Sequence, residues 1–526
     1  MLYDKSNSMF KRMSPFLPLF LLLILATAVR LPLLGGSFWL DEAAQALESA
    51  RPFNQQLNIL NDFQPPLMHY IVHFALFASS EEWWLRTIGA LLPALGTIAA
   101  TYLLAKKFFS TQTAILATLL LATSSFHIFY SQELRPYSLP ALWAVLSWYC
   151  VLTLLTTRKS GFLLTITFIA TSLLGLYSSY LYIFLNLSQI LFLFIFKSND
   201  WKKWLAASCG IGLGFLPWLP TFLQQLQVGQ SWRTQLPGWE QVVSFGQLKS
   251  VLLTIGKFIF GVMNLEVTVF FVVSTLIFIS SILYLILSNH NQVFHLKSYF
   301  SNSKKPFISH SVLAVLCWMI VPFLLGWIVS FWVPVIQPKR VLYLLPAAYI
   351  LIAHVLVSAK QTKLAVATFL FVLALNILGL QRYYSQPNLQ RENWRELHTQ
   401  LQKKYPASES VVLFSFTGPF APWHWYAGLE YPVLSTESLF IDSSTQIPKK
   451  FETITQYSYV IVVDYLADLS DPSRETQAYV ERLGFTKIET LQYPGIGSVF
   501  IYALPPITLS LEKKFSTTLP VYESRY

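Results

Sequence analysis

The chain has 526 residues, of which 54% are hydrophobic and only 12% charged, and its mean hydropathy is +0.49. These values leave too little polar surface for a soluble globular protein of this length, so a lipid bilayer is the expected solvent. The net charge of +11 is concentrated before residue 382, where it marks topology, and we expect no nucleic-acid partner.

Apolar runs long enough to cross a bilayer recur along the chain, and we predict about eleven transmembrane helices. They lie near 14–34, 85–105, 112–130, 137–157, 161–179, 181–196, 203–220, 266–288, 309–330, 341–358 and 363–381. Basic residues between them fall mainly on the side of Lys11 and Arg12, which the positive-inside rule makes cytoplasmic. We therefore predict a multi-pass plasma-membrane protein with its N-terminus in the cytoplasm.

The chain divides into two predicted domains. Residues 1–381 form a transmembrane domain whose first outer loop spans 35–84, with helical patterns at 41–50 and 65–77 that would lie along the membrane interface. Residues 382–526 form a small extracytoplasmic α/β domain. Its predicted elements are buried strands at 411–416 and 459–465, a helix at 473–483 and a hairpin at 485–503 that turns at Pro494-Gly495.

Acidic residues gather in the first outer loop. Of the eleven Asp and Glu before residue 382, six lie there: Asp41, Glu42, Glu48, Asp62, Glu81 and Glu82. Solvation at a membrane surface would explain them, but together with the arginines predicted on the same side they are what a polar active site needs. The three cysteines all fall in predicted spans, which excludes a disulfide framework or a cysteine metal site.

Three motifs stand out along the chain. They are Phe38-Trp39-Leu40-Asp41-Glu42, Asp62-Phe63-Gln64-Pro65-Pro66-Leu67 and Tyr130-Ser131-Gln132-Glu133-Leu134-Arg135-Pro136-Tyr137. With Trp84-Leu85-Arg86 and the stretch from Pro338 to Pro346, they resemble the polyprenyl-phosphate-dependent membrane glycosyltransferases of the GT-C fold, the group of dolichyl-phosphate-mannose protein mannosyltransferases (glycosyltransferase family 39 type) and aminoarabinose transferases. The resemblance covers roughly residues 25–350.

The resemblance implies a fold, a reaction and partners. The fold is a polytopic α-helical GT-C protein carrying the small α/β domain. The reaction is an inverting transfer of a hexose or pentose from a polyprenyl-phosphate sugar to a glycan, lipid or protein acceptor at the outer face, with membrane lipid around the isoprenoid tail. No cofactor is certain, and a divalent cation stays open. The rival hypotheses are a lipid-linked sugar transporter or flippase, and a non-catalytic assembly partner.

The resemblance also implies roles for individual residues. Asp41, in the DE pair after the first span, is the expected catalytic base, since the attacking acceptor hydroxyl must lose a proton. Glu42 is expected beside it at the substrate. The alternative is that both acids only stabilise the N-terminus of an interfacial helix.

Asp62 precedes the proline pair and His69 follows it, so acid and imidazole are expected to steer the acceptor or a metal ion. No metal ligand set is defined, because some relatives have a Glu nearer the prolines that this chain lacks. The alternative is that Asp62 caps a helix and His69 is an interfacial polar tip. Arg86 is expected in the substrate site or as an anchor of its span.

A third group of residues is expected to bind the donor headgroup. Arg135, Lys339 and Arg340 would stabilise the charge of the departing phosphate, and Glu133 and Tyr137 flank them. Snorkelling of Lys339 and Arg340 toward lipid headgroups, and an ion pair between Glu133 and Arg135, are the alternatives.

Overall fold

A computed structural model describes most of the chain. The described residues are 16–59, 62–156, 161–195, 201–235, 247–262, 268–290, 293, 310–333, 335–417, 420–436, 438, 440–441 and 447–504. The basic residues Lys11, Arg12, Arg158, Lys159, Lys304 and Lys305, which support the predicted orientation, lie outside these ranges. The orientation of the termini therefore stays a prediction.

Helices dominate the chain as far as residue 385. In chain order they are α1 Leu17–Ala28, α2 Leu40–Ser49, α3 Leu67–Leu76, α4 Glu82–Phe108, α5 Thr111–Thr123, α6 Ser125–Ser131, α7 Ser138–Thr156, α8 Phe162–Leu176, α9 Tyr182–Ile195, α10 Trp201–Phe215, α11 Leu219–Gln235, α12 Gln247–Phe260, α13 Val269–Ser288, α14 His310–Val329, α15 Leu345–Ser358 and α16 Thr362–Ser385. A 3₁₀ helix, Pro338–Leu344, leads into α15.

The apolar helices confirm a polytopic membrane protein. Within the described ranges, seven helices are long and apolar enough to cross a bilayer, and the bent pair α5 and α6 makes an eighth. The shorter apolar helices α1, α8 and α9 coincide with the remaining predicted spans. Several spans are longer than predicted, and the difference is greatest where α10 and α11 join into Lys202–Ser231.

Two breaks between helices shape the region that contains residues 132–137. α5 and α6 meet at an angle of 62°, where the extended Ser124 caps α6 by accepting a bond from the His127 amide. α6 then ends before Pro136, whose ring prevents the helix from continuing. Residues 132–137 consequently form a turn, which we call the 132–137 turn, before α7.

The first outer loop contains α2 and α3, which match the predicted helical segments. α2 carries Asp41 and Glu42 in its first turn, where they interact favourably with the helix dipole. α3 begins after the proline pair Pro65-Pro66, because proline is pre-organised for a helix start. The two helices pack against each other, with Gln45 of α2 bonded to His69 of α3 at 3.1 Å.

The last part of the described chain is a five-stranded mixed sheet with helices. Its strands are β1 Ser410–Thr417, β2 Val433–Thr436, β3 Tyr459–Val463, β4 Thr486–Tyr493 and β5 Gly497–Ala503, in the order β2-β1-β3-β5-β4. β1 pairs in parallel with β2 and β3, while β5 is antiparallel to β3 and β4. The helices in this part of the chain are α17 Trp394–Lys404, α18 Ala421–Ala427, α19 Ala467–Ser470 and α20 Glu475–Arg482.

This sheet confirms the predicted α/β fold of the tail, including both buried strands, the helix near 473–483 and the hairpin. Its core contains Val411, Leu413, Phe451, Val460 and Val462. Contacts divide the chain into two compact units, of which the first extends to Arg395 and includes Ala421–Trp425. The domain division after residue 381 stays a prediction.

Candidate active site

The helical period separates the acids of α2 onto two faces. Glu42, Gln45 and Ser49 follow helical spacing and are buried, whereas Asp41 and Glu48, seven residues apart, share the partly exposed face. The two members of the DE pair therefore have different environments. Asp41 is open to a ligand, and Glu42 is enclosed by protein.

Glu42 forms a fully buried ion pair with Arg86. Arg86 Nε donates to Glu42 Oε1 at 2.8 Å and Nη2 to Oε2 at 2.6 Å, and the Leu134 amide also donates to Oε1 at 2.7 Å. The remaining donors of Arg86 bond the carbonyls of Leu34, Gly36 and Ser37. Burial raises the pKa of Glu42, but Arg86 and Arg391 and these bonds outweigh it, so the pKa lies below its ordinary value.

Asp62 joins three of the predicted residues into one cluster. Its Oδ1 accepts a bond from Arg135 Nη2 at 3.2 Å, and its Oδ2 lies 3.0 Å from Nε2 of the fully buried His69. Burial raises the pKa of Asp62, but Arg135 and the His69 bond outweigh it and lower the pKa to about 2. Gln45 donates to His69 Nδ1 at 3.1 Å, which leaves the ring proton on Nε2 for Asp62.

Glu48 completes a group that suits a metal ion. One ligand atom from each of Glu48, Asp62 and His69 lies within 4.8 Å of the others. Glu48 Oε2 is buried and has no hydrogen-bond partner among the described residues. Two carboxylates and an imidazole form a donor set that binds Zn²⁺ or Mn²⁺, so these residues fit such an ion. Burial, and then Asp62, raise the pKa of Glu48, and a cation would relieve both effects.

Three cations lie near Asp41. Arg135 Nη1 is 3.4 Å from the Asp41 carbonyl oxygen, and the Asp41 carboxylate acts electrostatically on Arg135, Lys339 and Arg340. Lys339 Nζ lies between two aromatic rings, 5.6 Å from the centre of Trp39 and 5.5 Å from that of Tyr137. In the described part of the chain, Lys339 has no carboxylate within 4.0 Å, so its charge is available to an anion.

Glu133 lies in the 132–137 turn, 2% exposed, and it pairs with a residue that the sequence did not indicate. Arg391 Nη2 is 3.0 Å from Glu133 Oε2, and Arg391 Nε is 3.6 Å from Glu42 Oε2. Glu133 and Arg135 thus have different partners. Burial raises the pKa of Glu133 above its ordinary value. Arg391 and Lys339 lower the pKa, but their effect is smaller than that of burial.

The structure brings the predicted residues into two adjoining groups. The first group, around the buried ion pair, comprises Glu42, Arg86 and Glu133. The second group, around Asp41 and Asp62, also contains His69, Arg135, Tyr137, Lys339 and Arg340. The sequence did not predict that Glu48 and Arg391 belong to the site. The seven-residue spacing from Asp41 could have indicated Glu48, whereas no local pattern marks Arg391.

Comparisons with known proteins identify the fold. No protein-family model and no curated protein matches the sequence. ArnT from Cupriavidus metallidurans bound to undecaprenyl phosphate is similar in structure, with a TM-score of 0.56 and 12% identity over 93% of this chain and 98% of ArnT. The Archaeoglobus fulgidus oligosaccharyltransferase in complex with zinc and sulfate has a TM-score of 0.51 and 14% identity, covering 93% of this chain and 74% of that chain.

A further structure of the Archaeoglobus fulgidus enzyme AglB, in complex with an inhibitory peptide and a dolichol-phosphate, has a TM-score of 0.50 and 13% identity, covering 94% of this chain and 74% of that chain. The similar structures and the apolar helices show that this chain is an integral membrane protein with the GT-C fold. The predicted resemblance to GT-C membrane glycosyltransferases is thereby confirmed at the level of the fold.

Proposed function

We propose that the protein is an inverting glycosyltransferase that moves a sugar from a polyprenyl-phosphate donor to an acceptor at the outer face of the membrane. The observation that carries the proposal is the accessible carboxylate of Asp41 beside Arg135, Lys339 and Arg340. The similar structures support it, because ArnT is bound to undecaprenyl phosphate and AglB to a dolichol-phosphate.

The proposed reaction is a single displacement. Asp41 accepts the proton of the acceptor hydroxyl, whose oxygen forms a bond to the anomeric carbon. The bond from that carbon to the phosphate oxygen breaks, and the polyprenyl phosphate leaves with the electron pair. Its added negative charge is stabilised by Lys339 and Arg340, because cations held in a site of low dielectric act strongly on charge that develops there.

The buried ion pair has a different proposed role. Every polar atom of the Glu42 and Arg86 head groups is bonded within the protein. Neither group can bind a substrate without losing those bonds. We therefore assign Glu42 and Arg86 to holding α2, and with it Asp41, in place.

A divalent cation would be held by Glu48, Asp62 and His69. It would replace the Nε2 proton of His69 and supply a positive charge to a substrate oxygen. Arg135 already supplies positive charge to Asp62 from the other side. In the proposed displacement, Asp41 is the base, and Lys339 and Arg340 stabilise the departing phosphate.

Asp41→Asn tests the proposal. Membranes containing the variant are supplied with a labelled polyprenyl-phosphate sugar and an extract of candidate acceptors, and transfer to the acceptor fraction is measured. Loss of a general base is expected to lower transfer about 10²- to 10⁴-fold. Glu81→Gln is the matched control, since Glu81 is an exposed acid of the same loop and its removal leaves transfer unchanged.

Two outcomes would contradict the proposal. Asp41→Asn that transfers sugar at the wild-type rate, at equal protein level, would remove Asp41 from the chemistry. Movement of intact lipid-linked sugar between leaflets, without cleavage of its phosphate bond, would identify the protein as a transporter.

A further inference from the structure

The segment that follows the last apolar helix crosses back over the outer-face site. Residues 386–395, which we call the strap, begin with the 3₁₀ turn Pro387–Leu389 after α16. The Arg395 amide donates to Ser37 Oγ at 3.2 Å, and its Nη2 donates to the Gly35 carbonyl at 2.6 Å. The strap is thus bonded to the start of the first outer loop.

Arg391 is a largely buried charged residue of the strap, with a side chain 10% exposed. Its Nη2 donates to Glu133 Oε2 at 3.0 Å and to the Phe129 carbonyl at 2.9 Å. Its Nη1 lies 3.3 Å from the Tyr383 hydroxyl, and the guanidinium stands 4.2 Å from the centre of the Phe129 ring. One side chain therefore links α6, the 132–137 turn and α16.

The same guanidinium also faces α2. Arg391 Nε is 3.6 Å from Glu42 Oε2, and Glu42 is adjacent in sequence to Asp41. Arg86 already neutralises Glu42. For Glu133, however, Arg391 is the one cation within 4.0 Å in the described ranges. A buried carboxylate that loses its cation must take up a proton or move.

We infer that Arg391 is a positioning residue of the transfer site, which fixes the 132–137 turn against α2 so that Arg135 and Asp41 face the same substrate. The inference rests on the proposed function. It adds a requirement that the sequence motifs do not contain, namely that Arg391 lie against both Glu133 and Glu42. Arg391 touches no reacting atom and acts through Glu133 and Glu42.

Arg391→Gln tests the inference, with Arg395→Gln as the matched control in the same strap. Arg395 pairs with Glu82 at 3.3 Å and with neither Glu42 nor Glu133. For Arg391→Gln we expect kcat to fall about 10- to 100-fold, because a displacement of about 1 Å costs that much. KM for the polyprenyl-phosphate sugar should change less than about threefold, since Lys339 and Arg340 remain. Arg395→Gln should stay within about twofold of the wild type.

The pH profile separates positioning from loss of folding. The titratable groups that act on Glu133 are Arg391, Lys339, Glu42, Asp41 and Tyr130. Of these, Arg391 does most to keep Glu133 ionised, so Arg391→Gln should move the acidic limb of the rate profile to higher pH. The double variant Arg391→Gln with Glu133→Gln should lose that shifted limb and regain at least part of the lost kcat.

Arg391→Lys is the second variant. Lysine keeps the positive charge but lacks the planar guanidinium, which reaches Glu133, Glu42 and the Phe129 carbonyl. Arg391→Lys should therefore show an intermediate kcat and an acidic limb at the wild-type pH. Arg391→Gln with the kcat and pH profile of Arg395→Gln would overturn the inference. Failure of the proposed function would appear elsewhere, as unchanged transfer in Asp41→Asn, so the two failures are distinguishable.

Discussion

The ion pair between Arg86 and Glu42 should control the stability of the first outer loop. Arg86 is 1% exposed and Glu42 is fully buried. Arg86→Gln leaves a buried carboxylate with only Arg391, at 3.6 Å, as a cation, and it frees three carbonyl acceptors. Removal of one partner from a buried pair costs about 3–5 kcal/mol. We expect the lower end, because Arg391 and the Leu134 amide remain.

A cost of about 3 kcal/mol corresponds to a roughly 10²-fold larger equilibrium constant for opening of the loop. The assay is hydrogen exchange of the α2 amides in the purified protein, in the regime in which exchange reports this equilibrium. Arg86→Lys should rescue little, because an ammonium group has three donors and no planar fork. The double variant Glu42→Gln with Arg86→Gln should recover part of the loss, since no charge is left buried.

The matched control is Arg51→Gln in the same loop. Arg51 makes a partly exposed pair with Glu48 at 3.9 Å, which is worth at most about 1 kcal/mol. If α2 amides in Arg86→Gln exchange no faster than in Arg51→Gln, the reasoning about the buried pair is refuted.

Three further predictions concern the site itself. Lys339→Gln removes the cation between two aromatic rings, and kcat/KM for the donor should fall about 10²-fold, whereas Lys363→Gln, at an exposed position in α16, should not change it. His69→Ala should weaken Zn²⁺ binding in calorimetry at least roughly tenfold. Because the pKa of Asp62 is lowered to about 2, its stabilisation is complete above about pH 4 and is lost as the pH falls toward 2; Asp62→Asn should flatten the melting-temperature profile there.

Each of these predictions has an outcome that contradicts it. An unchanged kcat/KM in Lys339→Gln would remove Lys339 from the donor site. Zn²⁺ binding that is equal in the wild type and His69→Ala would place the ion elsewhere. A melting profile of Asp62→Asn that still falls between pH 4 and 2 with the wild-type slope would assign the acid sensitivity to other carboxyl groups.

The helices and strands follow from local sequence. Each predicted span coincides with an apolar helix, because in lipid a segment must satisfy its own backbone hydrogen bonds and can do so alone as a helix. The tail hairpin was also predictable from alternating strands around Pro494-Gly495. The edge strand β2, Val433–Thr436, was not, because four residues carry too little periodicity.

The site was predictable only in part. The motifs indicated that Asp41, Asp62, Arg135 and Lys339 belong together, and the structure places them near one another. They placed both Asp41, as the expected base, and Glu42 at the substrate, and they did not show that Glu42 is enclosed by protein, since adjacent acids in a helix look alike in sequence. Which of them is enclosed depends on where Arg86 lies when α2 packs.

The sequence by itself determined that the chain is a membrane protein. It also determined the positions of the helices and which polar residues gather at one face. Those properties depend on hydrophobicity and on neighbours close in the chain. Only the tertiary structure decided that Glu48 joins Asp62 and His69, and that Arg391, 258 residues from Glu133 along the chain, neutralises it. Such pairings arise because burial requires each charge to find a partner, and the nearest partner in space need not be near in sequence.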